Sequence, residues 1–225
     1  MTVLTKRFVW AFGFWMVLSG QVFGQSDTTN VWFSNGPSGL LDVRALVVHP
    51  QFTDTLYAGT LPGTIFRSLN RGNTWTEVGA TVSDSVLALV IAPSDSSVIY
   101  AGTLNSGIYK STDFGTTWSA TGFTGRQVNA LVVDPLDVNK AYAGTPDSLF
   151  KTTNGGTAWS FAGLDSVLIT SLAIQPQTSD TIYVGTDGNG LYRTLDDGTV
   201  WTQINGGLSM RVSALAVHPT QTDTV

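Results

Sequence analysis

The sequence predicts an all-β protein assembled from repeated four-stranded sheets, and three observations carry this prediction. The first is composition: of 225 residues, 42% are apolar, 11% are aromatic, 12% are charged and 24 are glycine. Such a chain can bury a sizeable core, and its β-branched, aromatic and turn-forming residues favour strands over helices. The other two observations are a repeat of about 42 residues and a strand pattern that recurs within each repeat.

Three sequence markers share the repeat. The segment ALVVHP at residue 45 returns in altered form at residues 88, 130, 171 and 214. YAGT at residue 57 returns at residues 100 and 142, and as YVGT at residue 183. Tryptophans keep the same spacing, at Trp32, Trp75, Trp118, Trp159 and Trp201. Because all three markers recur with the same spacing, they indicate a repeat architecture.

Each repeat contains four predicted strands. In residues 43–79 they are VRALVV, TLYAGT, TIFRS and TWTEV, separated by turn residues. A unit of roughly 40 residues with four antiparallel strands matches a β-propeller blade, in which each sheet lies between two neighbours. This sandwich explains a first strand that is apolar on both faces. We expect the second-strand glycines to allow close approach between blades, at Gly59, Gly102, Gly144 and Gly185.

The repeat divides residues 25–225 into units. Four are complete, at about residues 40–79, 83–122, 126–163 and 167–206, and a partial fifth occupies residues 210–225. The partial unit supplies a predicted first strand at residues 210–218, and residues 26–36 around Trp32 resemble a fourth strand. An open array leaves unpaired strand edges. We therefore expect an incomplete propeller that continues beyond the C-terminus, with the Trp32 strand completing its last blade.

Residues 1–24 are predicted to be a signal peptide. Lys6 and Arg7 precede an apolar run from Phe8 to Leu18, and Gly24 ends a segment of small or modest side chains. The run is shorter than the roughly 20 apolar residues of a membrane-spanning helix. No comparable run follows, so no membrane anchor is visible in the sequence. We expect a secreted, periplasmic or cell-envelope protein, the alternatives being an N-terminal strand or an uncleaved anchor.

Charge and residue types exclude several classes of partner. Loss of Lys6 and Arg7 with the signal peptide leaves nine basic and sixteen acidic side chains, a formal charge of −7. Such a surface repels phosphate backbones, so nucleic acid is not an expected partner. The chain has no cysteine, and His49 and His218 occupy equivalent positions before proline. With no zinc spacing, calcium loop, P-loop or nucleophile elbow, we predict no metal and no cofactor.

A polar motif lies between the third and fourth strands of each unit. Its copies are SLNRGNTW, STDFGTTW, TTNGGTAW and TLDDGTVW. Asp or Asn can accept hydrogen bonds from turn amides, Gly can take a positive φ, and Trp can be buried between sheets. The motif positions are Ser68, Asn70, Gly72 and Trp75; Ser111, Asp113, Gly115 and Trp118; Thr152, Asn154, Gly156 and Trp159; and Thr194, Asp196, Gly198 and Trp201.

This motif resembles the Asp-box of bacterial sialidases, sortilin-type receptors, family 74 xyloglucanases and photosystem II assembly factors. The resemblance implies a β-propeller in which the box is a fold element on the face away from the ligand site. Four regular copies are also too many for one active site. We therefore predict a structural role for Asp113 and its equivalents.

Chemistry is expected at the opposite end of the sheets, where the fourth strand leads into the next unit and where the second and third strands meet. The predicted ligand-face residues are Asp42, Arg44, Arg126, Asp187 and Arg211. Each loop has only a few residues, so none forms a lid or a deep cleft by itself. We expect a protein or carbohydrate ligand on this loop face.

Asp187 is the one catalytic candidate, in VGTDGNGLYR at residues 184–193. Family 74 xyloglucanases place a catalytic Asp in a TDIGG segment after the second strand, and the resemblance puts Asp187 there. Glycoside hydrolysis needs two carboxylates, and in that family the second comes from another propeller, which this chain lacks. The other units have Leu61, Leu104 and Pro146 at this position. Asp-Gly-Asn-Gly is also an ordinary turn sequence.

Two functions follow from these observations. The first is an exported, noncatalytic β-propeller that serves as a binding or assembly module for a protein or glycan. The alternative is the N-terminal part of a secreted glycoside hydrolase, xyloglucanase-like rather than sialidase-like because the arginines show no sialidase motif. Short loops, a single candidate carboxylate and near-identical units favour the first function.

Overall fold

The computed structural model describes residues 23–25, 32–34, 36, 42–79, 82, 84–206 and 210–218. Strands β1 (Phe23–Gln25) and β2 (Trp32–Ser34) form a two-stranded antiparallel sheet. The rest of the predicted signal peptide, residues 1–22, lies outside the described residues. The Trp32 segment is a strand, and its role in completing a last blade stays a prediction. No helix in the described part of the chain is long and apolar enough to cross a membrane.

Four four-stranded sheets, blades 1 to 4, make up the main body of the protein. Blade 1 contains β3 (Val43–Val48), β4 (Leu56–Thr60), β5 (Ile65–Ser68) and β6 (Thr76–Val78). Blade 2 contains β7 (Val86–Ile91), β8 (Ile99–Thr103), β9 (Ile108–Ser111) and β10 (Ser119–Ala120). Blade 3 contains β11 (Ala130–Val133), β12 (Ala141–Gly144), β13 (Leu149–Thr152) and β14 (Ser160–Gly163). Blade 4 contains β15 (Ile169–Ile174), β16 (Ile182–Thr186), β17 (Leu191–Thr194) and β18 (Thr202–Gln203).

Each blade is an antiparallel meander whose strands pair in chain order. The four strands predicted in residues 43–79 are confirmed. One feature of the first strand was not predicted: in blade 1 the register shifts between Val43 and Ala45, and blades 2 and 4 have the same shift. This bulge leaves Arg44 out of the ladder and turns an exposed side chain towards solvent.

The hydrophobic core lies between successive blades. Every residue of β8 and β16 is buried, and because side chains of a strand alternate between its faces, both faces of these strands are covered. Tyr57, Ile65, Val86 and Trp118 belong to the core between blades 1 and 2. Separate clusters fill the spaces between blades 2 and 3 and between blades 3 and 4. The predicted sandwich of a sheet between two neighbours is confirmed for blades 2 and 3.

Second-strand glycines are the points of closest approach between blades. Each faces a branched side chain at the start of the next unit. The pairs are Gly59 with Val86, Gly102 with Val128, and Gly144 with Ile169. A Cβ on these glycines would lie 2.3 to 2.7 Å from a methyl carbon of the partner, closer than packed atoms approach. Glycine therefore sets the spacing between blades, as the sequence predicted.

Residues 210–218 differ from the prediction of a first strand. Their only ladder contact is an isolated bridge between Arg211 and Asp187, although Val212, Leu215 and Val217 pack against the core of blade 4. A first strand takes its ladder hydrogen bonds from the second strand of its own sheet, and no described residue supplies that strand here. Apolar packing alone does not organise the segment into a ladder.

Candidate functional site

The two ends of the sheets have different chemistry. One end carries the hairpins between third and fourth strands, called the box hairpins, at residues 68–75, 111–118, 152–159 and 194–201. In the second, Ser111 Oγ accepts the Gly115 N–H at 2.9 Å and donates to Asp113 Oδ1 at 2.8 Å. The bond to the glycine N–H recurs in the other hairpins at 2.8, 3.0 and 3.1 Å. A side-chain hydroxyl thus closes each turn.

The Asp or Asn of each box hairpin satisfies a second turn amide. Asp113 Oδ1 accepts the Thr117 N–H at 2.8 Å, and Asn70, Asn154 and Asp196 accept the equivalent N–H at 2.8 to 2.9 Å. Hydrogen bonds from the hydroxyl and amide of Thr117 lower the pKa of Asp113 to about 2. The predicted hydrogen bonds are present in all four hairpins. Because two copies use a neutral amide, the turn requires an acceptor oxygen and not a charge.

Backbone conformation is also shared. The hairpin glycines have positive φ, from 78° at Gly115 to 91° at Gly156, as predicted. The residue before each glycine, called the αL position, is left-handed too. These residues are Arg71, Phe114, Gly155 and Asp197, with φ of 59°, 57°, 67° and 62°. Sequence reasoning missed this position because four different residue types share one backbone conformation.

Hydrogen bonds at the αL position connect successive blades. The Phe114 carbonyl of blade 2 accepts the Tyr57 hydroxyl at 2.9 Å and an Arg67 N–H at 3.2 Å, both from blade 1. The equivalent contacts of blade 3 with the Asp197 carbonyl are those of Tyr142 at 3.2 Å and Lys151 at 3.4 Å. A basic residue stands before the box in every unit, which is the signal that could have predicted this contact.

Blades 3 and 4 share a charged cluster around the Asp197 carboxylate. It accepts the Tyr142 hydroxyl at 2.5 Å and lies 2.5 Å from Lys140 Nζ, and Lys151 also contacts it. Lys140 reaches the buried Asp134 at 3.1 Å. Burial opposes ionisation of Asp197, but hydrogen bonds from Lys140, Lys151 and Tyr142 outweigh it and lower the pKa of Asp197. Burial and the neighbouring carboxylate both raise the pKa of Tyr142.

The motif tryptophans pack towards the preceding blade. Trp118 is 5% exposed, and a Cβ on Gly79 of blade 1 would lie 2.8 Å from its Nε1. Trp201 donates its indole N–H to the Ala162 carbonyl of blade 3 at 2.9 Å. Trp75 and Trp159 are half-buried. Burial between sheets, as predicted, is most complete at Trp118.

The other end of the sheets is the loop face, formed by the connections between units and the hairpins between second and third strands. Its two sets of loops contact each other. Within blade 1 the Leu61 N–H donates to the Asp42 carbonyl at 2.8 Å. Between units, Ser85 Oγ donates to the Leu61 carbonyl at 2.6 Å, and the Gly188 N–H donates to the Met210 carbonyl at 2.9 Å. Neighbouring units therefore form one continuous surface.

The predicted ligand-face residues form two ion pairs and one stacked cation. Arg44 pairs with Asp42 at 2.6 Å, and Arg211 Nε lies 3.7 Å from Asp187 Oδ2. All four side chains are substantially exposed. The Arg126 guanidinium lies 5.0 Å from the centre of the Phe150 ring, and no carboxylate among the described residues forms an ion pair with it. The structure thus brings together the members of each pair but not all five residues.

Asp84 is a loop-face residue that the predicted set omitted. Its Oδ2 accepts the Asn105 and Ser106 N–H groups at 2.6 and 2.7 Å, and its Oδ1 accepts the Ser85 N–H at 2.8 Å. Burial works against the charged form, but the hydrogen bonds prevail and lower the pKa of Asp84. This carboxylate is ionised and orders a hairpin. The signal for it was its position at the start of a unit, equivalent to Asp42.

The described residues give little support for a metal site or for a reactive histidine. They contain no group of three His, Asp or Glu side chains arranged to hold a metal ion. His49 is 1% exposed, and its Nδ1 accepts the Gln51 and Phe52 N–H groups at 3.2 and 3.0 Å. Desolvation lowers the pKa of His49. It is a neutral turn residue, as its position before proline predicted.

Solved structures similar to this chain are β-propellers of the kinds that the motif implied. The GH74 xyloglucanase from Xanthomonas campestris matches with a TM-score of 0.65 and 19% identity over 79% of this chain. YCF48 from Cyanidioschyzon merolae matches with a TM-score of 0.59 and 15% identity over 76%. The extracellular domain of BT4673 from B. thetaiotaomicron matches with a TM-score of 0.65 and 18% identity over 87%. The chain has a β-propeller fold, of which the described residues form four blades.

This chain corresponds to only part of each similar protein. The chain spans 34% of the xyloglucanase, 58% of YCF48 and 27% of the BT4673 domain. No protein-family model matches the sequence, and neither does any curated protein. At these identities the likeness is one of fold. Enzymes and other propellers both occur among the similar structures.

Proposed function

We propose that this protein is a noncatalytic binding module whose ligand, a protein or a glycan, lies on the loop face. The observation that carries the proposal is the state of the candidate catalytic residue: the Asp187 carboxylate pairs with Arg211 instead of facing a second carboxylate. Asp84 is held ionised by amide groups, the opposite of what a general acid requires. These carboxylates order the loops.

Exposed apolar side chains on the loop face are suited to contact with a macromolecular ligand. Met210 is 58% exposed, and Leu61 and Leu168 are 39% and 38% exposed. Methionine and arginine are enriched in the centres of protein interfaces. The short, mutually bonded loops form a shallow surface, which fits a macromolecular ligand better than a small molecule. An exported location, predicted from residues 1–24, is part of this proposal, and the likeness to an extracellular domain supports it.

A glycoside hydrolase fragment is the second candidate function, and one observation favours it. Asp187 lies directly after β16, the position from which the xyloglucanase resemblance draws a catalytic carboxylate. In this alternative the acid or base partner belongs to a second propeller, and the ion pair with Arg211 opens when substrate binds.

Tamarind xyloglucan distinguishes the two candidates. The hydrolysis assay uses the full-length protein, because the alternative places the second carboxylate on another propeller. We expect no release of reducing ends, and no difference between the native protein and Asp187→Asn. For binding, affinity electrophoresis in xyloglucan gels compares Leu168→Ser/Met210→Ser on the loop face with the matched box-end variant Leu69→Ser/Leu195→Ser. If xyloglucan retards the native protein and the box-end variant but not the loop-face variant, the result supports a glycan as the ligand of the loop face. Hydrolysis that disappears in Asp187→Asn would replace the proposal with the enzyme alternative.

A further inference from the structure

A groove separates blades 2 and 3 at the box end, away from the loop face. Its volume is about 490 Å³, within the size range of small-molecule sites. Its walls are polar and include Lys110, Thr117, Thr121, Gly155 and Thr157. The groove opens where the αL position of blade 3 carries no side chain, since this position is Gly155. Phe114 and Asp197 occupy the equivalent position in blades 2 and 4.

The interface between blades 3 and 4 shows what that position can hold. There the Asp197 carboxylate contacts Lys151 and the Tyr142 hydroxyl. Tyr142 is fully buried, yet its hydroxyl meets a carboxylate whose side chain is 31% exposed. A carboxylate at the αL position therefore reaches both the buried hydroxyl and the ammonium group from the solvent side.

The groove repeats this arrangement without the carboxylate. Lys110 Nζ donates to the Gly155 carbonyl at 2.9 Å and lies 5.2 Å from the Tyr100 ring centre. The corresponding distance from Lys151 to the Tyr142 ring is 5.6 Å. Lys110 has no carboxylate within ion-pair distance in the described part of the chain, and burial lowers the pKa of its ammonium group, partly offset by the more distant Asp95. The basic residue and the tyrosine are in place as they are between blades 3 and 4, but here no carboxylate lies between them.

Tyr100 supplies the second, independent observation. It is fully buried, and its hydroxyl has no hydrogen-bond partner, whereas the hydroxyls of Tyr57 and Tyr142 both have one. Its ring lies against the box hairpin of blade 3, where a Cβ on Gly156 would be 3.3 Å from the ring edge. An unsatisfied buried hydroxyl destabilises the folded protein. A ligand acceptor at the αL position would remove this cost.

We propose that the groove binds an acidic sugar, a uronate, whose carboxylate takes the position over Gly155 that Asp197 occupies in blade 4. The carboxylate accepts hydrogen bonds from the Lys110 ammonium and the Tyr100 hydroxyl, and charge-assisted bonds of this kind are the stronger class. The remaining wall offers threonine and serine hydroxyls and glycine backbone. These polar groups can hydrogen-bond to the hydroxyls of a sugar ring but offer little contact to an apolar ligand. The wall therefore favours a sugar acid over an aliphatic or aromatic acid.

Titration of the full chain with sodium glucuronate, followed by amide NMR, tests the proposal. Glucuronate should shift the resonances of Gly155, Gly156 and Thr121, whereas glucose should shift none of them. Acetate at the same concentration separates the carboxylate from the sugar, and we expect it to bind at least tenfold more weakly, equivalent to about 1.4 kcal/mol. Equal affinity for acetate and glucuronate would overturn the sugar assignment. Absence of any glucuronate-dependent shift would overturn the site.

Gly155→Asp tests the carboxylate position directly. The variant places the acid within the chain, and the φ of 62° at Asp197 shows that Asp accepts this conformation. A Cβ at Gly155 would lie 3.0 Å from Lys110 Nζ and 3.2 Å from Asn139 Oδ1, so both side chains must shift slightly to admit it. We expect a folded Gly155→Asp to lose glucuronate binding. Lys110→Met, which keeps the aliphatic stem, should lose binding as well. Asp197→Gly should create a second glucuronate site between blades 3 and 4. Unchanged binding in Gly155→Asp or in a folded Lys110→Met would contradict the proposal.

Discussion

The box end and the loop face of this propeller are built on opposite principles. At the box end the same hydroxyl, the same acceptor oxygen and the same left-handed glycine recur in four hairpins. On the loop face each unit has a different arrangement, such as the Asp42–Arg44 pair in blade 1 and the amide-bound Asp84 in blade 2. Repetition therefore marks what every blade needs to fold, and the proposed ligand surface lies where the units depart from it. The following predictions test this division.

The largest effect is expected at Trp118, the most buried tryptophan of the box hairpins. Trp118→Ala should lower the free energy of unfolding by about 3–5 kcal/mol, because it leaves a cavity between blades 1 and 2. Guanidinium unfolding followed by circular dichroism measures the change. Trp75→Ala is the matched control, and since Trp75 is half-buried its cost should be smaller. Equal losses of unfolding free energy at both positions would show that the contribution of these tryptophans does not depend on how deeply they are buried between blades.

A smaller cost is expected at Ser111, whose buried hydroxyl closes the second box hairpin. Ser111→Ala leaves the Gly115 N–H without its acceptor, and an unsatisfied buried amide costs about 1–3 kcal/mol. Thr116→Ala is the control, because Thr116 is exposed and bonds only the Asp113 carbonyl; its effect should stay below about 0.5 kcal/mol. A control that costs as much as Ser111→Ala would mean that hydroxyl loss anywhere in the hairpin has the same consequence.

Asp113 should make stability depend on pH without being essential at neutrality. Its pKa in the folded protein, about 2, lies below the ordinary value of about 3.9. Its ionised form therefore stabilises the fold above that ordinary pKa, and this contribution disappears as the pH falls towards 2. Asp113→Asn should retain most stability at pH 7, as Asn70 and Asn154 do naturally, and should lose less stability than the native protein between pH 4 and pH 2. Parallel acid-unfolding curves for the two proteins would exclude this role.

The smallest effect is expected on the loop face. Arg44→Ala removes an ion pair whose side chains are 48% and 37% exposed, and exposed pairs contribute about 0–1 kcal/mol. Thermal melting should hardly change, and Asp42→Ala, which removes the other partner, should behave alike. A cost comparable to that of Ser111→Ala would show that the loop face also holds the fold together and would weaken the contrast between the two ends.

Much of the fold could be predicted because it is local and periodic. Alternating apolar residues and turn signals located all four strands of blade 1 within a residue or two of their ends. The bond from a turn amide to Asp113 and the positive φ of Gly115 followed from the chemistry of a short turn, whereas the bond of the Ser111 hydroxyl to the Gly115 N–H was not predicted. The close approach at Gly59 followed from a glycine that recurs in the middle of a sheet. Each inference needed only the repeat unit itself.

What lies between repeats could not be predicted in the same way. Arg67 could be assigned to a strand end, but its bond to the Phe114 carbonyl depends on the angle between two blades, which periodicity does not contain. The tyrosines could be assigned to the second strands, yet the partner of each hydroxyl depends on the neighbouring hairpin. The groove at Gly155 has the same origin, because it arises from a side chain that one copy lacks.

The bonds between blades also have a direction. Tyr57 and Arg67 donate forward to the Phe114 carbonyl of the following blade, and Tyr142 and Lys151 do the same with Asp197. At these contacts, loss of a trailing blade would leave hydroxyl and ammonium donors without acceptors, whereas loss of a leading blade would leave the Phe114 or Asp197 carbonyl without donors, and carbonyl oxygens tolerate incomplete pairing better. Other bonds run the opposite way, such as that of the Trp201 indole to the Ala162 carbonyl. The αL contacts alone therefore favour trimming of the array from the front over trimming from the back.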